Sequence, residues 1–316
     1  MKKATLIILT ISAFLFNSCK KSKDPQPEIT NPVPAQTSPA QVKSQPLRYL
    51  VSTAEGKLLG GYMYKYDSKG RVISLESLDS TGNINSKYNT KYEYNSDGTL
   101  SKVNDINQSG SDNYIFEYNS GLVSKIIKTT GSNTITYKYY YTGGNLNIIS
   151  SIESIGSMKY RDSISFENYN AAGRPALSKH FFTTYVMTSY YTYDNNSNLT
   201  STQTSDDLHN NIKSLKFEYS YTGDVLPEAF SMLSYFGIET DPNLSSKNKD
   251  TNFISQTKFY GNCIRELSTL IYETNTSLIK KDGSGRIISF KSQTISHKVT
   301  CSPQDGDSGY IYTFEY

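Results

Sequence analysis

Tyr92-Glu93-Tyr94-Asn95-Ser96-Asp97-Gly98-Thr99-Leu100 is the stretch whose reading decides the fold. Ahead of it Tyr88, Thr90, Tyr92 and Tyr94 alternate with Lys87, Asn89, Lys91 and Glu93. A period of two puts the aromatic residues on one face of a strand and the charged ones on the other. Asn95 to Gly98 then has Asn first and Gly fourth. That order suits a type I turn whose Asx side chain bonds the backbone and whose glycine takes positive φ, often as a bulge. Thr99 and Leu100 start the returning strand, so the stretch predicts a β-hairpin with one aromatic face.

The same phrase recurs along the chain. Tyr64-Lys65-Tyr66-Asp67-Ser68-Lys69-Gly70-Arg71-Val72 precedes it, and Phe116-Glu117-Tyr118-Asn119-Ser120-Gly121-Leu122 follows with a shorter turn. Further copies centre on Tyr141, Tyr169, Tyr193 and Tyr219-Ser220-Tyr221, and Lys281-Asp282-Gly283-Ser284-Gly285-Arg286-Ile287 keeps only the turn and the return. The last aromatic before each early turn falls at 66, 94, 118, 141, 169 and 193, at intervals of 23 to 28 residues. Regular spacing of this length marks a repeat architecture. Each interval holds two strands, a tight turn and a looser link. The fold class is therefore all-β, an antiparallel meander of repeated hairpins with about 14–18 strands in a curled or spiralling sheet. The pattern breaks near 227–250, where Leu226-Pro227-Glu228-Ala229-Phe230 suits a short helix with proline in its first turn and Asp241 to Asp250 reads as polar loop. The chain ends on the aromatic phrase Tyr312-Thr313-Phe314-Glu315-Tyr316.

Composition agrees. Among 316 residues there are 27 Tyr and 13 Phe but no Trp, with abundant Ser, Thr and Asn. Without Lys2 and Lys3, which lie in a removable segment, the balance is 30 basic against 29 acidic residues. A near-neutral chain carries no electrostatic case for nucleic acid. The three histidines, His180, His209 and His297, lack metal-ligand spacing, and no nucleophile elbow, P-loop or dinucleotide fingerprint is present. Asp206-Asp207 and Asp305-Gly306-Asp307 are the only acidic clusters with any resemblance to a calcium loop, and they lack a full ligand register. No catalytic residue, metal or cofactor is expected from these residues.

The N-terminus states a compartment. Lys2-Lys3 and the apolar run Ala4 to Phe16 have a signal-peptide layout, and the run is too short to span a bilayer. Leu15-Phe16-Asn17-Ser18-Cys19 resembles the lipobox of bacterial lipoproteins. The resemblance implies cleavage before Cys19 and acylation of Cys19, by palmitate-like chains, as a membrane anchor. Residues 1–18 are then the signal peptide, 19–46 a Pro/Ser/Gln-rich tether that lacks the apolar residues to fold, and 47–316 the repeat domain. In that compartment Cys263 and Cys301 make an even pair able to form a disulfide. Such a bridge would close a loop of about 38 residues and stabilise by roughly 3–4 kcal/mol.

The phrase aromatic-x-Tyr-Asp/Asn-x-x-Gly-x-Leu/Val resembles the YD (Rhs-type) repeats of bacterial surface and toxin-shell proteins. The whole chain is similar to Bacteroidota outer-membrane lipoproteins of unknown function built from such repeats. The likeness spans about 64–226 and 281–316 and implies a β-sheet scaffold without known catalytic residues. The expected function is a lipid-anchored, non-catalytic binding or scaffold module of the cell envelope, attached to the outer membrane through Cys19. Its ligand would be a glycan or an envelope protein, and the membrane face is left open. The alternative is a hydrolase acting on envelope or extracellular polymers through loop carboxylates. A membrane-spanning barrel needs a continuous lipid-facing apolar band, which the Lys, Glu, Ser and Asn at mid-strand interrupt.

Overall fold

A computed structural model describes residues 45–108, 110–207, 213–225, 252–261, 269–297 and 306–316. The excursion expected near 227–250 lies outside these residues, as do Cys19, Cys263 and Cys301. The described chain is all strand and turn. The first nine strands are β1 (Arg48–Thr53), β2 (Leu58–Tyr66), β3 (Val72–Leu78), β4 (Ile84–Tyr94), β5 (Leu100–Asn107), β6 (Gly110–Asn119), β7 (Leu122–Thr130), β8 (Asn133–Thr142) and β9 (Asn145–Ile155). The second nine are β10 (Met158–Tyr169), β11 (Pro175–Phe181), β12 (Val186–Tyr193), β13 (Leu199–Asp206), β14 (Lys213–Val225), β15 (Asn252–Gly261), β16 (Thr269–Lys281), β17 (Ile287–Ser296) and β18 (Gly306–Glu315).

Each strand pairs antiparallel with the next, so the meander of 18 strands is the one the repeats predict. The sheet also closes. β18 pairs back onto β1, with Arg48 opposite Glu315 and Tyr49 opposite Phe314, and the ring becomes a barrel without free edges. Leu47 N donates to Glu315 O at 2.6 Å and the Arg48 guanidinium meets the Glu315 carboxylate at 2.6 Å across this seam. On the other side of β1, Gly61 lets two backbones approach: a Cβ there would stand 2.1 Å from the Tyr49 carbonyl oxygen.

Alternation along the strands sorts side chains onto two faces. Tyr92 is 3 % exposed, whereas the neighbouring Glu93 side chain is 63 % exposed. The wall is one sheet thick, so the buried face is the one turned into the ring. Tyr49, Tyr64, Leu75, Tyr92, Val103, Tyr114, Phe116, Ile126, Tyr137, Tyr139, Ile149 and Phe166 form a continuous inner core. Outside, the seam and four hairpins are crossed by ion pairs: Arg48–Glu315 at the seam, then Lys65–Glu76, Glu93–Lys102, Glu117–Lys125 and Glu167–Lys179, at 2.5 to 3.5 Å. A lysine or arginine facing lipid at mid-membrane costs about 2–4 kcal/mol. These pairs lie within a few residues of the Asx turns, at one rim of the barrel, where the cost falls to about 0–1 kcal/mol.

The turns follow the sequence rule. The Asp67 amide donates to Arg71 O and Gly70 N donates to Asp67 O, both at 2.9 Å. One Asp67 carboxylate oxygen accepts the amides of Lys69 and Arg71. Asn170, Asp194 and Asp282 do the same in their copies. In the copy at Asn95 the carboxylate that accepts from Thr99 N belongs to Asp97 instead, while Asn95 Nδ2 donates to the Thr99 hydroxyl. Gly98 has φ 91°, the left-handed value the turn needs; in the Asp194 copy Ser197 holds φ 65° in its place.

What the repeated tyrosine does is visible only in three dimensions. Tyr141 excepted, the last Tyr before a turn donates its hydroxyl to the carbonyl of the first strand residue after the preceding turn. Tyr94 reaches Val72 O at 2.7 Å, Tyr118 reaches Leu100 O at 2.9 Å, Tyr193 reaches Pro175 O at 2.9 Å and Tyr221 reaches Leu199 O at 2.7 Å. Tyr169 bonds Leu146 O in the same way. The ring of latches continues across the chain ends: Tyr316 bonds Ile287 O at 2.9 Å and Tyr66 bonds Pro46 O at 2.6 Å. Tyr316 and Pro46 thus stand to each other as Tyr66 and Val72 do around an intact turn. At β16 the pattern changes. Lys281 pairs with Ile287 where the other copies place tyrosine, and an irregularity before it leaves Leu278 at φ 51° and 70 % exposed.

Two tyrosines with opposite environments test this account. Tyr94→Phe removes a latch and should lower stability by about 1 kcal/mol. Tyr64 is 3 % exposed and its hydroxyl has no hydrogen-bond partner among the described residues. Tyr64→Phe should therefore be neutral or stabilising in the same chemical unfolding titration.

Candidate functional site

The inner face is not uniformly apolar. Its hydrogen-bonded rows climb around the ring, and one row across β4–β7 reads Thr90, Asp105, Asp112, Thr130, each opposite the next. Strand alternation places all four inside with the tyrosines, at the end of the barrel away from the Asx turns. Thr90 donates to Asp105 at 2.7 Å and Thr130 donates to Asp112 at 2.6 Å. The Lys128 ammonium lies 3.6 Å from the Asp112 carboxylate and 5.4 Å from the Tyr114 ring centre. Desolvation raises the Asp105 carboxyl above its ordinary range, and the facing Asp112 adds to this against the hydrogen bond from Thr90. Two carboxyls held face to face, one of them raised by burial, is an arrangement that can pass a proton or grip a polar ligand.

A second inner constellation lies on β10 and β11. His180 Nε2 and Asp162 Oδ2 are 2.6 Å apart, the His180 ring packs on Phe182 at 3.8 Å, and Phe182 stacks on Tyr185 at 4.4 Å. A histidine oriented by a carboxylate is two-thirds of a nucleophile triad. Among the described residues no hydroxyl or thiol hydrogen-bonds its other ring nitrogen. The pair is an orienting contact without a nucleophile.

The site residues expected from sequence fall elsewhere. Cys19, Cys263 and Cys301 lie outside the described residues, as does His209. His297 follows the end of β17. Asp206 ends β13 on the inner face, and Asp207 accepts the Val186 amide at 2.8 Å, which closes the β12–β13 pair. Among the described residues no three His, Cys, Asp or Glu side chains converge as metal ligands. Sequence reasoning missed the Asp105–Asp112 and Asp162–His180 pairs. Each joins residues on different strands, and nothing in the linear pattern marks them.

No protein-family profile matches the chain and no curated protein is similar to it. Among solved structures it is similar to a porin-like protein from Bacteroides uniformis, with a TM-score of 0.42 and 15 % identity over 85 % of this chain and 98 % of that one. A porin-like protein from Bacteroides vulgatus gives 0.41 and 12 % over 86 % and 98 %. The Photorhabdus luminescens Tc holotoxin pore gives 0.35 and 12 %, over 78 % of this chain and 14 % of that one. Likenesses at this level say nothing of what the chain does.

The raised Asp105 fixes a sign. An acid whose folded pKa exceeds its unfolded value binds more protons when folded, so its contribution to stability falls as pH rises from the unfolded to the folded value. Asp105→Asn keeps the acceptor for Thr90. It should stabilise the barrel at neutral pH by roughly 0.5 kcal/mol after solvent screening, and the gain should vanish below the ordinary carboxylate range when melting is followed against pH.

Proposed function

We propose that the chain is a lipid-anchored binding or scaffold module of the cell envelope, held at the outer membrane by acylated Cys19 and spaced from it by residues 19–46. The supporting observation is the polarity of the wall. Its outer face carries the Lys–Glu and Arg–Glu pairs, and most of its tyrosines lie in the inner core or the latches. On this reading the barrel stands in water and needs a separate anchor, which the lipobox-like segment supplies. The ligand is a glycan or an envelope protein. Cys263 and Cys301 form a disulfide in this compartment. The hydrolase reading now draws on the facing carboxyls of Asp105 and Asp112 rather than on loop acids.

Cys19→Ser should move the protein from the membrane to the soluble fraction and abolish labelling by radioactive palmitate; retention at the membrane with labelling intact would sink the anchor. Non-reducing mass analysis should show no free thiol on Cys263 or Cys301 until a reductant is added. A pull-down of the acylated protein from envelope extract, run beside a glycan array, should capture a ligand equally well with wild type and Asp105→Asn. Turnover of a captured polymer that disappears in Asp105→Asn would instead support the hydrolase.

A further inference from the structure

The repeats provide their own controls. On the outer face, four hairpins and the β1–β18 seam carry a cross-strand ion pair just behind the turn rim. The β8–β9 hairpin carries Tyr140 opposite Ile148 there, 49 % and 42 % exposed. Around this break the register sets Lys138 opposite Ser150 and Ser150 opposite Ser163, while Ile148 faces Ser165 and Ile152 faces Arg161. The serines make a low floor on β9 and β10, with Tyr140 and Ile148 on one side and Arg161 and Lys159 on the other. Lys138, Lys159 and Arg161 are exposed and have no ionic partner among the described residues. The nearest outer acids are already committed, Glu117 to Lys125 and Glu167 to Lys179. The surface therefore holds an uncompensated positive charge on a chain that is otherwise near neutral.

We propose that this outer face of β8–β10 binds an acidic polysaccharide, a deepening that rests on the binding-module reading above. The exposed Tyr140 ring offers an apolar platform with a polar tip for a sugar face. Arg161, Lys138 and Lys159 offer charge-assisted hydrogen bonds to uronate carboxylates. Ser150, Ser163 and Ser165 meet the hydroxyls between. Size separates this ligand from a protein. With strands about 4.8 Å apart the trough covers on the order of 200 Å², far short of the roughly 800 Å² per partner of a stable protein interface. Its apolar side chains are interrupted by serine and lysine rather than contiguous.

The test is affinity electrophoresis of the full mature protein in gels containing alginate, a polyuronate, or dextran, a neutral control. Alginate should retard the wild type, less so at high salt, and dextran should not. Lys138→Glu/Arg161→Glu and Tyr140→Ala should each weaken the retardation tenfold or more, while Lys258→Glu, on β15, should leave it unchanged. All of these residues are at the surface, and unchanged melting temperatures will separate lost binding from lost folding. Wild type that runs freely in alginate, or variants retarded as strongly as wild type, overturn the assignment. If the free-running protein still captures a neutral glycan or an envelope protein, the binding module stands and only this surface fails; if it captures nothing, both fail.

Discussion

A phenolic hydroxyl donating to the carbonyl one turn back is the interaction on which this barrel depends. A strand pair alone is marginal in water, and antiparallel ladders leave the ends of hairpins irregular where a bulge inserts. The register slips between Glu93 and Tyr94, between Glu117 and Tyr118 and between Thr192 and Tyr193, in each case one residue before the latch. The tyrosine turns that irregularity into a bond between successive hairpins. Turn, bulge and latch recur together as a unit, with Lys281 in the aromatic position of one copy.

Burial has a side effect on these phenols. Desolvation lifts the Tyr316 hydroxyl to about 12 and raises those of Tyr66 and Tyr221 further still. The latches stay protonated donors from acidic to moderately alkaline pH. Guanidinium groups reinforce two of them: Arg71 lies 4.4 Å over the Tyr94 ring and Arg286 4.2 Å over Tyr316, each also tied to the Asp that opens its own turn.

Much of this was legible in the sequence, and for a clear reason. Alternation, turn chemistry and repeat spacing are local, so the faces of β4, the Asp67 turn and the count of strands could all be read from a few residues at a time. Closure could not. It joins Arg48 to Glu315, at opposite ends of the chain, and no local pattern distinguishes a spiral from a ring. The same holds for the inner polar row: Thr90, Asp105, Asp112 and Thr130 sit on four strands and come level only when every intervening register is fixed. The substitution of Asp97 for Asn95 as the turn's acceptor shows a smaller limit, since two candidate side chains lay within one turn and geometry chose between them.

Tyr316 and Pro46 flank a place where a turn would fit, so the protein is a circle cut at one rim. The cut has a price during synthesis. Until β18 leaves the ribosome β1 has one neighbour instead of two, and a chain that stops short of Gly306 presents two bare sheet edges with aromatic rows behind them. Such edges pair with any extended strand they meet, and the contact that seals them spans nearly the entire sequence, the slowest kind to form. β18 thus separates a closed ring from a ribbon with a strong tendency to join others end to end.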